Sequence, residues 1–187
     1  QRTCDACGGR GTVIENPCKA CRGTGTVQAT KTLEVSIPAG IDNGQRISLR
    51  GQGSDGLRGG SAGDLLISVA VKAHPVFERD GYDIYCEVPI TFTEATLGAE
   101  IDIPTLEGKE KFTVPEGTQT GTSFTLKQKG VPYVNNSSRR GDLIITVVIE
   151  VPKNLSSAQK EKLREFAELS GETNYTKKTK FFKKFFK

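Results

Sequence analysis

Residues 34–53, EVSIPAGIDNGQRISLRGQG, are written a second time at residues 111–130, KFTVPEGTQTGTSFTLKQKG. At a constant offset Pro38 recurs as Pro115, Gly40 as Gly117, Gly44 as Gly121, Leu49 as Leu126 and Gly53 as Gly130. After a one-residue slip the echo resumes, GDLLISV at 63–69 against GDLIITV at 141–147. A repeat of this length decides the architecture before any local pattern does. Glycines fall at the turns and apolar residues alternate between them, so the repeated unit is a small β-module. The expected fold is mainly β: two tandem, related, sandwich-like modules with short helices.

A chain of 187 residues suits two such modules. It begins at Gln1 and holds no methionine, which reads as a piece of a longer protein. There is no apolar run of bilayer length and no secretory leader, so a cytoplasmic setting is expected. The formal charge of +4 hides an asymmetry. Residues 173–187 hold six lysines and no acid, which leaves 20 basic against 22 acidic residues elsewhere. A nearly neutral body argues against a nucleic-acid groove across the sheets.

Four of the five cysteines form two copies of CxxCxGxG. Cys4 and Cys7 precede Gly8, Gly9 and Gly11, and Cys18 and Cys21 precede Gly23 and Gly25. Two thiolates three positions apart grip one zinc ion from a tight turn, and the glycines let the backbone leave it at positive φ. Four thiolates would close a tetrahedral, structural site. So small a segment has no core of its own, and metal would hold it folded. The fifth, Cys86, sits on an alternating strand and reads as a small buried apolar residue.

Taken in order, residues 1–26 are the cysteine-rich segment and 27–79 the first module. Leu33, Val35 and Ile37 alternate as a strand, Asp42-Asn43-Gly44 is a turn, and Ile47 and Leu49 continue on the return. Residues 54–63 are a glycine-rich linker without the lysine of a phosphate loop. Leu65, Ile67, Val69 and Val71 mark the next strand. The one histidine, His74, reads as a turn residue.

The second module spans 80–153. Ile84, Cys86, Val88 and Ile90 share one strand face. TEATL at 93–97 reads as a short helix capped near Thr91 or Thr93. Strands follow at 101–103, 111–114, 123–127 and 142–151, with residues 135–138 as a surface loop. Residues 154–187 form a helix and tail. Ser156 and Gln159 make a capping box, with Leu163 and Phe166 on one stripe. The second module opens with a strand and short helix ahead of its core pattern, and the first does not. A strand of the first module is therefore expected to lie before the cysteines, which would be an insertion.

These motifs together resemble the class A J-domain co-chaperones, the bacterial members most closely. The resemblance runs through CxxCxGxG twice, IPAGIDNGQRISLRGQG, the 63–108 stretch GDLLISVAVKAHPVFERDGYDIYCEVPITFTEATLGAEIDIPTLEG, and VPEGTQTG, and covers essentially the whole chain. It implies two β-rich peptide-binding domains, a zinc-binding insertion in the first, and a C-terminal homodimer contact. That contact would involve Leu163, Phe166, Phe181, Phe182 and Phe185. The implied partners are unfolded polypeptides and a DnaK-type ATPase, with neither nucleic acid nor membrane among them. It further implies that Leu33 and Ile67 line the client pocket; ordinary core packing accounts for them equally well.

The chain departs from that pattern. There is no His-Pro-Asp triplet, so ATPase stimulation would not reside in these residues. Two cysteine repeats are present where the family has four, and they look like the third and fourth. The family's pairing would place Cys4 and Cys7 in one zinc site and Cys18 and Cys21 in another, each with half its ligands. The expectation is then either that these zinc sites are empty or that all four cysteines join around a single ion in a pairing the family does not use.

The expected action is holding: a sheet edge offers backbone hydrogen bonds to any extended chain, while an apolar pocket selects side chains. Two rivals follow from the cysteines, a zinc-ribbon module binding nucleic acid through the basic tail and a CxxC thiol–disulfide protein. No nucleophile–histidine–carboxylate constellation suggests an enzyme.

Overall fold

The computed structural model describes residues 2–9, 11, 13–56, 60–171 and 174–185, the side chains of 183 and 185 excepted. The chain forms two units. The first takes residues 1–73 with 132–139, the second residues 74–131 with 140–187.

In the first unit, β1 (Arg46–Leu49) pairs antiparallel with β2 (Leu65–Ser68), placing Ile47 opposite Ile67 and Leu49 opposite Leu65. In the second, β3 (Glu78–Asp80), β4 (Asp83–Thr91), β7 (Ser123–Leu126) and β10 (Leu143–Glu150) form one sheet in the order β3-β4-β10-β7. The chain leaves β4 through α1 (Phe92–Leu97), where Thr91 and Glu94 make a reciprocal capping box. A hairpin of β5 (Ala99–Thr105) and β6 (Gly108–Val114) follows. The short hairpin β8 (Pro132–Tyr133) and β9 (Asn136–Arg140) precedes β10. Helices α2 (Ser157–Leu169) and α3 (Thr176–Phe185) close the chain.

The core of the second unit follows the period of two. Ile84, Cys86, Val88 and Ile90 of β4 pack with Leu143, Ile145 and Val147 of β10, joined by Ala95, Ile103, Val114 and Val131. Burying each branched side chain contributes roughly 1.5–3 kcal/mol, and the two strands carrying three each, with Cys86 among those of β4, dominate the unit. Pro89 lies inside β4 without breaking it. The Ile84 N–H donates to the Asp142 carbonyl, 3.0 Å, so even-numbered residues of β4 turn their backbone groups to β10. Odd-numbered ones face β3, whose pairing ends with Glu78 opposite Tyr85. The N–H that Pro89 lacks would have pointed at an open edge.

The sequence repeat is also a repeat of hydrogen bonds. The N–H of Gly44 donates to Val69 and that of Val69 to Gln45; Gly121, Val147 and Thr122 repeat the exchange. The N–H of Gly53 donates to Gly63, as that of Gly130 does to Gly141. Asp64 accepts from the Gly51 N–H and Asp142 from the Gln128 N–H. The pairing of Leu49 with Leu65 recurs as that of Leu126 with Leu143.

The copies differ in what covers them. No described residue of the first unit is buried. The strand expected at Leu33, Val35 and Ile37 does not form. Its duplicate is β6, where Phe112 and Val114 pair with Ile101 and Ala99 of β5. The described part of the first unit has no counterpart of β5, and an alternating segment without a partner has nowhere to place its backbone hydrogen bonds. Leu33 and Val35 are half-buried and Ile37 is exposed.

Other differences are local. Residues 135–138, read as a loop, mostly enter β9, and β3 forms at the module boundary, where no strand was expected. Helix α2 ends on Ser170, whose N–H donates to the Phe166 carbonyl, one residue before Gly171. In the first unit Gly40, at φ +90°, meets the Pro132 carbonyl where a Cβ would stand 1.9 Å away. Only glycine fits there.

Candidate functional site

The two cysteine segments are two copies of one turn. The Gly8 N–H donates to the Cys4 carbonyl at 2.8 Å, and the Arg22 N–H to that of Cys18 at 2.7 Å. Gly9 and Gly23 leave the turns at φ +87° and +89°, and Arg22 adopts +49° where the first copy has glycine. The Cys18 thiol is held below its ordinary value, first by the backbone N–H of Cys21, then by that of Ala20 and by the Cys21 side chain. A lowered thiol is a better metal ligand at neutral pH. Two thiols three positions apart supply at most two corners of a tetrahedral zinc site. Among the described residues no three metal-ligating side chains converge. Cys86 behaves otherwise: it is buried, and burial, then the charge of Glu87, pushes its thiol up.

The first unit's sheet carries the second candidate surface. Ile47, Leu49, Leu65 and Ile67 occupy one face of β1 and β2, all half-buried. Their duplicates are Phe124, Leu126, Leu143 and Ile145, the last two fully buried between β7 and β4. No described strand lies along β2 on the side where β10 has β4. The first unit therefore presents a two-stranded sheet with a partly covered apolar face and an unpaired edge. Ile67 lies at the centre of that face. Leu33 lies on the unpaired segment leading to it, which is tied to the end of β1 where Lys31 Nζ donates to Gln52 Oε1 at 2.7 Å.

A groove of about 520 Å³ lies in the second unit where β3 ends, lined by Pro75, Val76, Tyr85, Glu87 and Thr146 among others. Sequence reading missed it, although Pro89 inside a strand was the available sign of an open edge.

The polar residues of the repeats are latches. Lys127 donates to Asp142 at 2.5 Å; that hydrogen bond, then the Gln128 N–H, hold the Asp142 carboxyl below its usual range, and the carboxylate in turn raises Lys127. Lys127 is solvent-exposed and Asp142 only partly covered, so the contribution to stability is small. His74 accepts the N–H groups of Val76 and Phe77 on Nδ1, both at 3.2 Å, and stacks on the Phe77 ring. It is the turn residue its context suggests.

The residues expected at a dimer contact separate. Phe166 turns onto Phe92 in an edge-on pair, ring centroids 6.3 Å apart. Leu163 and Leu169 stay exposed on α2, and Phe181 and Phe182 on α3. The Phe185 side chain lies outside the described residues.

A family model described as "DnaJ C terminal domain" matches residues 5–152, and one described as "Chaperone protein DnaJ C-terminal region" matches 158–187. The chain is 57% identical over 183 residues to "Chaperone protein DnaJ" of Acetivibrio thermocellus, which covers 98% of this chain and 47% of that protein. It is 58% identical over 169 residues to the protein of the same name from Clostridioides difficile, covering 90% of this chain and 44% of the relative. With that of Rhizobium meliloti the figures are 51%, 97% and 48%. The chain thus spans about half the length of the curated relatives it matches.

Proposed function

Because the chain belongs to the DnaJ C-terminal domain family, we propose that it acts as the client-holding part of a co-chaperone, binding extended, apolar stretches of non-native polypeptides for transfer to a DnaK-type ATPase. The observation that carries this reading is the half-covered apolar face of Ile47, Leu49, Leu65 and Ile67 beside the unpaired edge of β2. An extended chain laid along that edge gains backbone hydrogen bonds whatever its sequence, and the face accepts one or two branched side chains. Burying one contributes roughly 1.5–3 kcal/mol, less than the roughly 4 kcal/mol of a millimolar complex. Holding at a single site is weak, as suits a client that is passed on.

The test is Leu33→Ser. We expect about tenfold weaker capture of a fluorescent, permanently unfolded client, the second unit melting unchanged, since Leu33 belongs to neither its sheet nor its core. Unaltered capture by the folded variant removes Leu33 from the site.

For the cysteines we propose two half-sites for zinc, each turn needing two further donors. Cobalt in place of zinc reports this: two thiolates per ion at Cys4/Cys7 and at Cys18/Cys21 should give loose binding, stripped by a mild chelator. A tight, four-sulfur cobalt spectrum with one ion per chain would favour the joint site instead.

We further propose that copies associate through α2, whose Leu163 and Leu169 are exposed while none of its residues is buried. Ending the chain after Pro152 leaves every core residue of the second unit in place. It should sediment as a monomer; a persisting dimer moves the contact to the sheets.

A further inference from the structure

We infer that the open edge of β4, in the second unit, docks extended polypeptide segments that carry lysine or arginine beside small apolar residues. Strand β3 pairs with β4 only as far as Glu78 opposite Tyr85. The same register would next set Phe77 against Cys86 and Val76 against Glu87. Neither pair forms. The N–H groups of Val76 and Phe77 are both spent on His74 Nδ1, at 3.2 Å, and Pro75 has none to give. The chain turns away from β4, and the groove of about 520 Å³ opens where the missing pairs would stand. Strand β4 itself runs on to Thr91. From Glu87 to Thr91, roughly 13 Å at the rise of a strand, its edge faces no described strand. Glu87 turns its N–H to that edge and Pro89 its carbonyl, since the even-numbered residues of β4 turn theirs to β10.

Charge complementarity selects the occupant. By the alternation of the strands, Glu78, Asp80, Asp83, Glu87 and Glu150 share the solvent face of this sheet, and no lysine or arginine of its four strands lies there. Arg79 is on the opposite face and donates Nε to the Gly81 carbonyl. Lys127, just past β7, is committed to Asp142. Among the described residues the carboxylates of Glu78 and Glu87 have no ion pair and accept no hydrogen bond. Carboxylates on an open edge turn away a second copy of the same edge, as edge protection requires, yet attract a cationic chain. The lysines at the chain's own end lie on α3, a helix, which has no strand edge to offer. An extended outside segment would bond to the backbone at Glu87 and Pro89. It would seat an apolar side chain between Val76 and Tyr85, and bring its cation to Glu78 and Glu87. The proposal rests on the client-holding reading only for the source of that segment, a non-native polypeptide.

The test titrates the full chain into a short fluorescent peptide of alternating valine and lysine, and into its counterpart with glutamate for lysine. The lysine peptide should bind, less tightly as salt rises, and protect the Glu87 N–H from hydrogen exchange; the glutamate peptide should not bind. Glu78, Glu87 and Val76 are exposed, so their variants keep the fold. Replacing Glu78 and Glu87 together by glutamine should weaken binding about fivefold. Val76→Lys, which sets a cation in the groove, should weaken it as well, and Leu33→Ser should change nothing. Equal binding of the two peptides, or binding untouched by the glutamine variant, overturns the proposal. So does a Glu87 N–H left unprotected by bound peptide. Tighter peptide binding by the chain ended after Pro152 makes its own tail the occupant and likewise overturns it. Capture of an unfolded client that falls with Leu33→Ser but not with the glutamine variant overturns this edge and leaves the first-unit site standing. Peptide bound as expected, with no unfolded client captured, upholds the edge and removes the client-holding reading.

Discussion

Replacing Gly141 by alanine is expected to unfold the second unit, while the same change at its duplicate, Gly63, is expected to leave the chain as stable as before. A Cβ on Gly141 would stand 2.0 Å from the Tyr82 carbonyl oxygen, 2.3 Å from its carbon and 2.6 Å from Asp83 Oδ1. Two of these atoms are backbone and cannot swing aside. Gly141 also donates its N–H to Val131 and accepts from Gly130, while Val131 donates to Tyr82. Any shift that relieves the clash breaks the lacing that seats β4 on β10. Overpacking of this kind costs about 3 kcal/mol, and the buried N–H groups it unpairs cost about 1–3 kcal/mol each. Against the roughly 5–15 kcal/mol of an ordinary domain, that is most of the margin. At Gly63 a Cβ meets only the Ser54 carbonyl oxygen, at 3.9 Å, an ordinary contact. The chain contains no tryptophan, so urea melts followed by circular dichroism and tyrosine fluorescence provide the readout. Equal losses at the two glycines would mean that a strand covers Gly63 as β4 covers Gly141, contrary to the arrangement described.

That contrast also marks the limit of what the sequence discloses. The repeat was legible because its constraints are local: a turn needs a glycine, and a strand with one buried face needs alternation. Ser156 with Gln159 announced its helix for the same reason, since a capping box closes within four residues; at α1, where the sequence offered Thr91 or Thr93, Thr91 is the cap and Glu94 completes the box. Val35 and Ile37 alternate as cleanly as their duplicates Phe112 and Val114, and Leu33 extends the pattern, yet no strand forms. Alternation states which side chains would be buried, not whether a neighbouring strand is present to receive the backbone. Pairing is a long-range property, and β3 and β9 were missed for that reason. Their sequences, ERD and NSSRR, are polar throughout because both strands lie at the surface, and no apolar period marks them. The candidate site divides likewise. The CxxC turns were legible from spacing, but whether two turns share one ion depends on how their backbones are brought together.

Ile145 and Ile67 occupy one position of the repeat, and their truncation should give opposite phenotypes. Ile145 is fully buried, opposite Phe124 on one side and Cys86 on the other. Cutting it to alanine removes the transfer energy of the lost carbons and leaves a cavity, together about 2–5 kcal/mol. The urea midpoint of the second unit should fall accordingly, with client capture altered only as far as that unit unfolds. Ile67 faces Ile47 on a sheet with no described strand along its other edge, and is only half-buried. With part of its surface already in water, Ile67→Ala removes less burial in the free chain, a cost of about 1 kcal/mol or less. If a client side chain seats on Ile67, the same truncation weakens capture about tenfold, or about 1.4 kcal/mol. The two effects are separable because stability is read without client and capture with it. A loss of stability at Ile67 as large as at Ile145, with capture unchanged, would make Ile67 a core residue like its duplicate. Loss of capture with stability intact would establish that one repeated residue packs the interior in the second unit and meets the client in the first, the difference arising from the strand that accompanies β10 and does not accompany β2.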